Sequence, residues 1–345
     1  MSHHHPHDHH HPHDHVHPHA PGPAIDRRAL LRAGGLGLGA ILLAACNGRG
    51  TSTATTAAAG ANPDTTAGAI AALTSLPGFD SFADTVRTFV EGDYWLVEST
   101  GMPTHNVMVG ITSWQQQVPL PQSYTGANAW RFPTTPAMAD TPISARTGLF
   151  RGAIAIAVDG VPIFNALNNR GDDAYLAGEL DEWGGHAGRA DDYHYHVAPL
   201  YLEEIVGAGK PIAYALDGFA IYGSTEPDGT PLAALDEYNG HVGTDGTYHY
   251  HGTSTYPYIN GGLVGVATAT DQVEPQPTTR AIREAGAPLP GAVITGFSSP
   301  AADSYRLEYS INDAIGAVEY TVQGASIAFT FTAPDGTITK ETYTR

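Results

Sequence analysis

Residues 151–166 read RGAIAIAVDGVPIFNA and residues 211–224 read PIAYALDGFAIYGS. In each, two short apolar runs flank an Asp-Gly pair, Asp159-Gly160 and Asp217-Gly218. Asp-Gly between apolar runs predicts a tight turn joining two strands. Asp159 and Asp217 then have an ordinary turn role, closing the turn on its own backbone. The end of the chain gives SYRLEYSI, GAVEYTVQG and SIAFTFTAPDGTITKETYTR, which alternate polar and apolar residues with a period of two. Half-buried antiparallel strands do the same. Helix signals are few, at Ser81–Val90 and Ala198–Val206. The predicted class is mostly β, a β-rich α+β fold with few short helices.

The two opening stretches belong to a longer repeat. AIAVDGVPIF is followed by LDEWGGH and DYHYH; AYALDGFAIY is followed by LDEYNGH and TYHYH. The order is kept, and Asp181 to His194 spans the same distance as Asp236 to His249. This predicts an internally duplicated antiparallel β domain over residues 70–345, with copies at about 151–200 and 209–265 and a β-rich tail at 290–345. Two such halves commonly pack about a pseudo-twofold axis, and a site at their interface would draw matching residues from both.

Beyond residue 69 the sequence has seven histidines, and six lie in the repeated blocks: His186, His194 and His196, then His241, His249 and His251. Residues two apart on a strand point the same way. His194 and His196 therefore share one face, with Tyr193 and Tyr195 on the other, and the second copy repeats this. Paired imidazoles on a rigid strand suit a transition metal. His186 and His241 each follow a glycine and are placed on the loop entering the strand, where each can supply a third ligand. Two geometries fit: a three-histidine metal with one open position in each copy, or histidines from both copies around one metal or a close pair.

Imidazole without thiolate leaves copper, zinc, nickel and non-haem iron, with copper leading by affinity order and zinc the alternative; calcium and magnesium want oxygen. Asp181, Glu182, Asp236 and Glu237 precede the glycine-histidine pairs. Either they hold the second ring nitrogen of a ligand histidine or they are solvated loop acids. The tyrosines are expected to pack against a neighbouring sheet. Tyr195 and Tyr250, with His105 outside the repeat, are the candidates for a chemical role, His105 as a further ligand or a proton carrier.

Residues 1–25 form a His-rich leader with eleven histidines in its first 19 residues. Residues 26–45 follow, with Arg27 and Arg28 before an apolar stretch too short to span a membrane. They read as a twin-arginine lipoprotein signal ending in LAAC, with Cys46 as the lipidated residue. Residues 46–69 are small and polar and read as a flexible tether. The expected location is the cell envelope or surface, with membrane contact only through the lipid. Cys46 is the only cysteine, which leaves the folded region without disulfides, thiolate metal sites or cysteine catalysis. A net charge of −19 disfavours nucleic acid and suits cations such as metal ions.

The two YHYH blocks after Gly-His, with ALDGFAIYG between them, resemble the YHYH-domain family of exported proteins. STGMPTHNV, SWQQQVPLP and YPYINGG add to the resemblance, which spans about Tyr94 to Gly265. The resemblance implies little about activity, since the family is named for its motif. It also implies a cysteine where Tyr238 stands here, before Asn239-Gly240, so a disulfide brace of the family is absent.

The functional expectation is an exported metal-binding protein with histidine-triplet sites, copper favoured, whose enzymatic form is a copper-dependent oxidoreductase. The alternatives are a zinc-dependent hydrolase, a copper storage or delivery lipoprotein, and a cell-surface interaction module with structural metal. The partner is a metal ion; the sequence names no small molecule or redox protein.

Overall fold

The computed structural model describes residues 76–345. The segments expected to be a leader, an export signal and a tether, with Cys46, lie outside the described residues. Among the described residues, no helix is long and apolar enough to cross a membrane.

A 3-10 turn at Phe79–Phe82 leads into β1 (Arg87–Glu91), β2 (Tyr94–Glu98) and β3 (Trp130–Pro133), a three-stranded antiparallel sheet. The helix expected at Ser81–Val90 does not form. Glu91 pairs with Tyr94 across a Gly92-Asp93 link, and Gly92 takes a positive φ of 61°. A two-residue link with glycine in that conformation makes a hairpin, so the chain from Arg87 is committed to a strand. After β4 (Met138–Ser144) comes the central sheet.

Its strands are β5 (Ala153–Ala157), β6 (Pro162–Phe164), β7 (Gly185–Ala187), β8 (Tyr193–Tyr195), β9 (Ala213–Ala215), β10 (Ala220–Tyr222), β11 (Gly240–Val242) and β12 (Tyr248–His251). The Asp159-Gly160 and Asp217-Gly218 turns join β5 to β6 and β9 to β10, as their sequences predict. Between β8 and β9 lies α1 (Leu202–Val206), the last part of the helix expected from Ala198. β13 (Gly262–Gly265) returns to pair with β4, and β14 (Thr268–Ala269) with β15 (Val273–Glu274). The tail is a five-stranded antiparallel meander: β16 (Val293–Ala301), β17 (Ser304–Ile311), β18 (Ala314–Gln323), β19 (Ser326–Thr332) and β20 (Ile338–Thr344).

The central sheet has the order β11-β12-β10-β9-β5-β6-β8-β7. Its middle is the antiparallel pair β5–β9, with Ile156 opposite Tyr214. Read outward from there, both halves run in the same order: an Asp-Gly hairpin, then a YHYH strand, then a Gly-His strand. The sheet is mixed rather than antiparallel throughout, because β6–β8 and β10–β12 run parallel. β5 is buried on both faces along its whole length. Its AIAIA sequence is accordingly apolar at every position instead of alternating. Phe79 and Phe132 stack on Tyr214 at 5.8 and 5.5 Å, which packs the N-terminal elements on the middle of the sheet. Arg283, in the segment before the tail, is tied to the first half: its guanidinium grips Asp191 at 2.7 and 2.8 Å. Asp191 also accepts from the Val118 backbone, fixing the β7–β8 loop.

Candidate metal centres

The β7–β8 hairpin sets His186 directly opposite His194, and the β11–β12 hairpin sets His241 opposite His249. Cross-strand partners lie about 5 Å apart at Cβ, and His196 and His251 follow two residues along the same face. His186 and His241 thus sit on strands, not on the entering loop. A cross-strand pair plus its i+2 neighbour makes each triplet from local geometry alone.

Two glycines in each copy make room for this. A Cβ at Gly185 or Gly240 would meet the hydroxyl of Tyr193 or Tyr248 at 2.5 or 2.3 Å. A Cβ at Gly188 or Gly243 would meet Cε1 of His194 or His249 at 2.7 or 2.8 Å. GHAG and GHVG therefore admit a tyrosine on one face and an imidazole on the other.

In the first half, His186 Nε2 and His194 Nε2 each lie 3.1 Å from His196 Nε2. His194 Nδ1 faces the Asp192 carbonyl at 2.9 Å and His196 Nδ1 faces the Asn165 carbonyl at 2.5 Å. A carbonyl only accepts, so both Nδ1 atoms carry the proton. Burial, aided by His194, holds His196 down to about 3, so it is neutral and its Nε2 is a bare lone pair. Burial likewise holds His186 well below the ordinary histidine range, with His194 and His196 adding to it. With Nδ1 protonated, His194 and His196 both present an Nε2 lone pair to the same point, where a cation would be bound. Three nitrogens at about 2.0–2.1 Å from one ion are separated by roughly 2.9–3.4 Å, which the 3.1 Å spacing fits. These three side chains form one group able to hold a metal ion.

In the second half the group has a fourth member, Glu226, which the sequence reading missed. Its carboxylate lies 3.1 Å from His241 Nε2, 3.3 Å from His249 Nε2 and 3.6 Å from His251 Nε2. His251 donates Nδ1–H to the Gly223 carbonyl at 2.8 Å, and its Nε2 is buried with no hydrogen-bond partner. Burial would raise the Glu226 carboxyl, but the Ala233 backbone N–H and the three histidines outweigh it and lower it. Three imidazoles and a carboxylate complete a four-ligand set.

The two groups are far apart. Five strand spacings separate β8 from β12, or about 24 Å at ~4.8 Å per strand. The shared-metal geometry is therefore excluded, and so is a site at the interface of the halves. His186, His194 and His196 instead line a cleft of about 650 Å³, and Glu226, His241 and His249 line another of about 490 Å³. In the first half, Phe164 stacks on His194 at 3.8 Å and fixes its ring.

Of the two roles open to the four acids, none of them takes the orienting one. Asp181 accepts from Tyr193 at 2.7 Å and from the backbones of Met108, Trp183 and Gly185. Asp236 accepts from Tyr248 at 2.8 Å and from the backbones of Tyr238 and Gly240. Glu182 and Glu237 are exposed. Backbone carbonyls do the orienting: parallel pairing of β6 with β8, and of β10 with β12, brings Asn165 and Gly223 beside His196 and His251.

The tyrosines are buried on the opposite face, as predicted, yet they do more than pack. Tyr195 and Tyr201 both donate to Asp159 at 2.8 Å, and Tyr250 donates to Asp217 at 2.6 Å. The two turn aspartates therefore also satisfy the buried hydroxyls. Burial pushes Tyr193, Tyr195 and Tyr250 well above the ordinary tyrosine range, with neighbouring aspartates adding to it, so these hydroxyls stay protonated. His105 joins this face rather than a triplet. Its Nε2 lies 2.9 Å from the Tyr195 hydroxyl, its ring stacks on Trp183 at 4.7 Å, and burial lowers it to about 4.

Residues 129–231 match the family model described as YHYH protein. The match takes in the first YHYH block and ends before the second, so it is shorter than the span read from the motifs. No curated protein and no solved structure matches the chain.

Proposed function

We propose, starting from the chain's membership of the YHYH family, that this is a metal-binding protein with two unlike centres. The first holds a transition metal through His186, His194 and His196 and leaves a coordination position open to the larger cleft. The second holds its ion through His241, His249, His251 and Glu226, with the four positions of a tetrahedral set filled. The observation that carries this reading is the convergence of three imidazole Nε2 atoms in the first half, and of three imidazoles with a carboxylate in the second, with Nδ1 of His194, His196 and His251 donating to backbone carbonyls.

Copper is the favoured ion, because neutral imidazole suits it and it stands highest in the affinity order; zinc is the alternative. A bound ion at the first centre would supply Lewis-acid or one-electron chemistry to a molecule in the cleft. The chain's own residues hold the rings fixed and dry. The enzymatic form of the reading is an oxidoreductase, with a zinc-type hydrolase as the second reading, favoured by three-histidine coordination with an open position. Storage or delivery fits the closed second centre better than the open first one. The export signal and Cys46 support placement at the cell envelope through a lipid anchor.

The test is elemental analysis with EPR on protein produced through its own export signal. Two transition-metal ions per chain are expected. Protein free of metal, with a melting temperature unmoved by copper or zinc, overturns the reading.

A further inference from the structure

The two clefts differ in charge. Among the described residues, the second cleft is lined by Glu226, Asp228 and Asp245 and by no lysine or arginine. The first is lined by Arg151, Arg170 and Arg189 against Glu179 and Asp192. This is unusual in a chain with 16 basic and 35 acidic residues.

The groups of the first cleft are also unequally committed. Buried Glu179 is held by Asn168 and by the Arg170 guanidinium. Asp192 accepts from the Ala190 backbone and lies 3.7 Å from His194 Nδ1. The acids are therefore spoken for. Arg151 has only a 3.9 Å contact with exposed Asp271, and Arg189 is exposed with no ion pair among the described residues. Trp130, on the same wall, keeps a buried indole N–H without an acceptor. What the cleft leaves unsatisfied is donors and positive charge, beside an open metal position.

We propose that the first cleft binds a small molecule carrying a carboxylate, which sets one oxygen toward the metal position and accepts from the Arg189 guanidinium. The proposal rests on the reading of His186, His194 and His196 as an open metal centre. A guanidinium offers a planar pair of donors that matches a carboxylate. A neutral amide of the same shape would leave that charge unmatched. Arg189 follows Gly188, the residue that makes room for the His194 ring, so both act at one end of the cleft.

The experiment uses the full chain loaded with Cu(II) and follows the EPR signal lost in His196→Ala, which belongs to the first centre. Benzoate and benzamide are titrated as an anionic and a neutral probe of equal shape. Benzoate should perturb the first-centre signal and benzamide should not. Arg189→Gln should weaken benzoate about tenfold or more, as expected for loss of a charge-assisted hydrogen bond, with Arg189→Lys recovering part of the loss. Copper content unchanged by His196→Ala overturns the metal reading and this proposal with it. Copper held by the first triplet, with benzoate and benzamide binding alike or with Arg189→Gln leaving benzoate unchanged, overturns this proposal alone.

Discussion

The two halves of the central sheet share a framework and differ in the turn residue beside the histidine group. In both, an Asp-Gly hairpin positions a strand whose tyrosines donate to aspartates and whose histidines converge on the other face. The link after β6 is closed by a Leu167–Asp173 bridge and the link after β10 by a Thr225–Pro231 bridge. Asn168 and Glu226 stand at the same place in these two links. In the second half the carboxylate turns into the triplet. In the first, the amide turns away to Glu179. The comparison teaches that the strands make the triplet, and a turn residue decides whether a carboxylate joins it.

The sharpest way to break this comparison is to remove one triplet at a time. His196→Ala should lower bound metal from two ions per chain to one, and His251→Ala should do the same from the other half. Loss of both ions from either single variant would mean one coupled centre. Elemental analysis reads the outcome directly.

The next effect is on stability and belongs to the shared framework. Asp159 accepts two tyrosine hydroxyls and the Val161 backbone, while Asp217 accepts one hydroxyl and the backbones of Gly265 and Phe219. Removing either carboxylate strands buried donors. Asp159→Ala and Asp217→Ala should each cost about 2–4 kcal/mol in denaturant unfolding.

Glu226→Asn tests the turn residue itself. Removing a ligand carboxylate should weaken the second ion by about tenfold or more, and azide should then perturb a centre it did not reach before. If azide access is unchanged by the substitution, Glu226 does not close the site.

A smaller effect is a pH dependence. Burial raises Asp181 to about 6, although Tyr193 and three backbone N–H groups pull it down. A carboxyl raised above its unfolded value of about 3.9 favours the folded state when protonated. Its contribution is fully present below pH 4 and is lost as pH rises through about 6. In metal-free protein, the stability difference between wild type and Asp181→Asn should therefore shift across pH 4–6 and be flat above. The smallest expected effects are at Glu182 and Glu237. Both are exposed and touch no histidine, so their alanine variants should keep both ions and stay within about 0.5 kcal/mol.

Much of this was legible in the sequence. The Asp-Gly turns placed four central strands, and the tail strands followed from their alternation. His-x-His fixed the face shared by His194 with His196 and by His249 with His251. His186 and His241 do join their triplets, but from strands rather than loops, because Gly-His reads as a loop until its pairing partner is known. Glu226 escaped because it sits in STEPDGT, a plain turn sequence, and only the bridge across that turn aims it at the triplet. The orienting carbonyls escaped for a related reason: parallel pairing joins elements distant in sequence and leaves no local period. At Ser81–Val90 the spacing of apolar residues suggested a helix, and the hairpin at Gly92-Asp93 overrode it.

The most direct test of two separate, unlike centres is quantitative Cu(II) EPR on the saturated full chain. Two ions about 24 Å apart do not couple, so two copper spins per chain are expected, in two distinct signals. The signal lost in His196→Ala should respond to azide, and the one lost in His251→Ala should not. One spin per chain, a coupled pair, or two indistinguishable azide-sensitive signals would contradict the account.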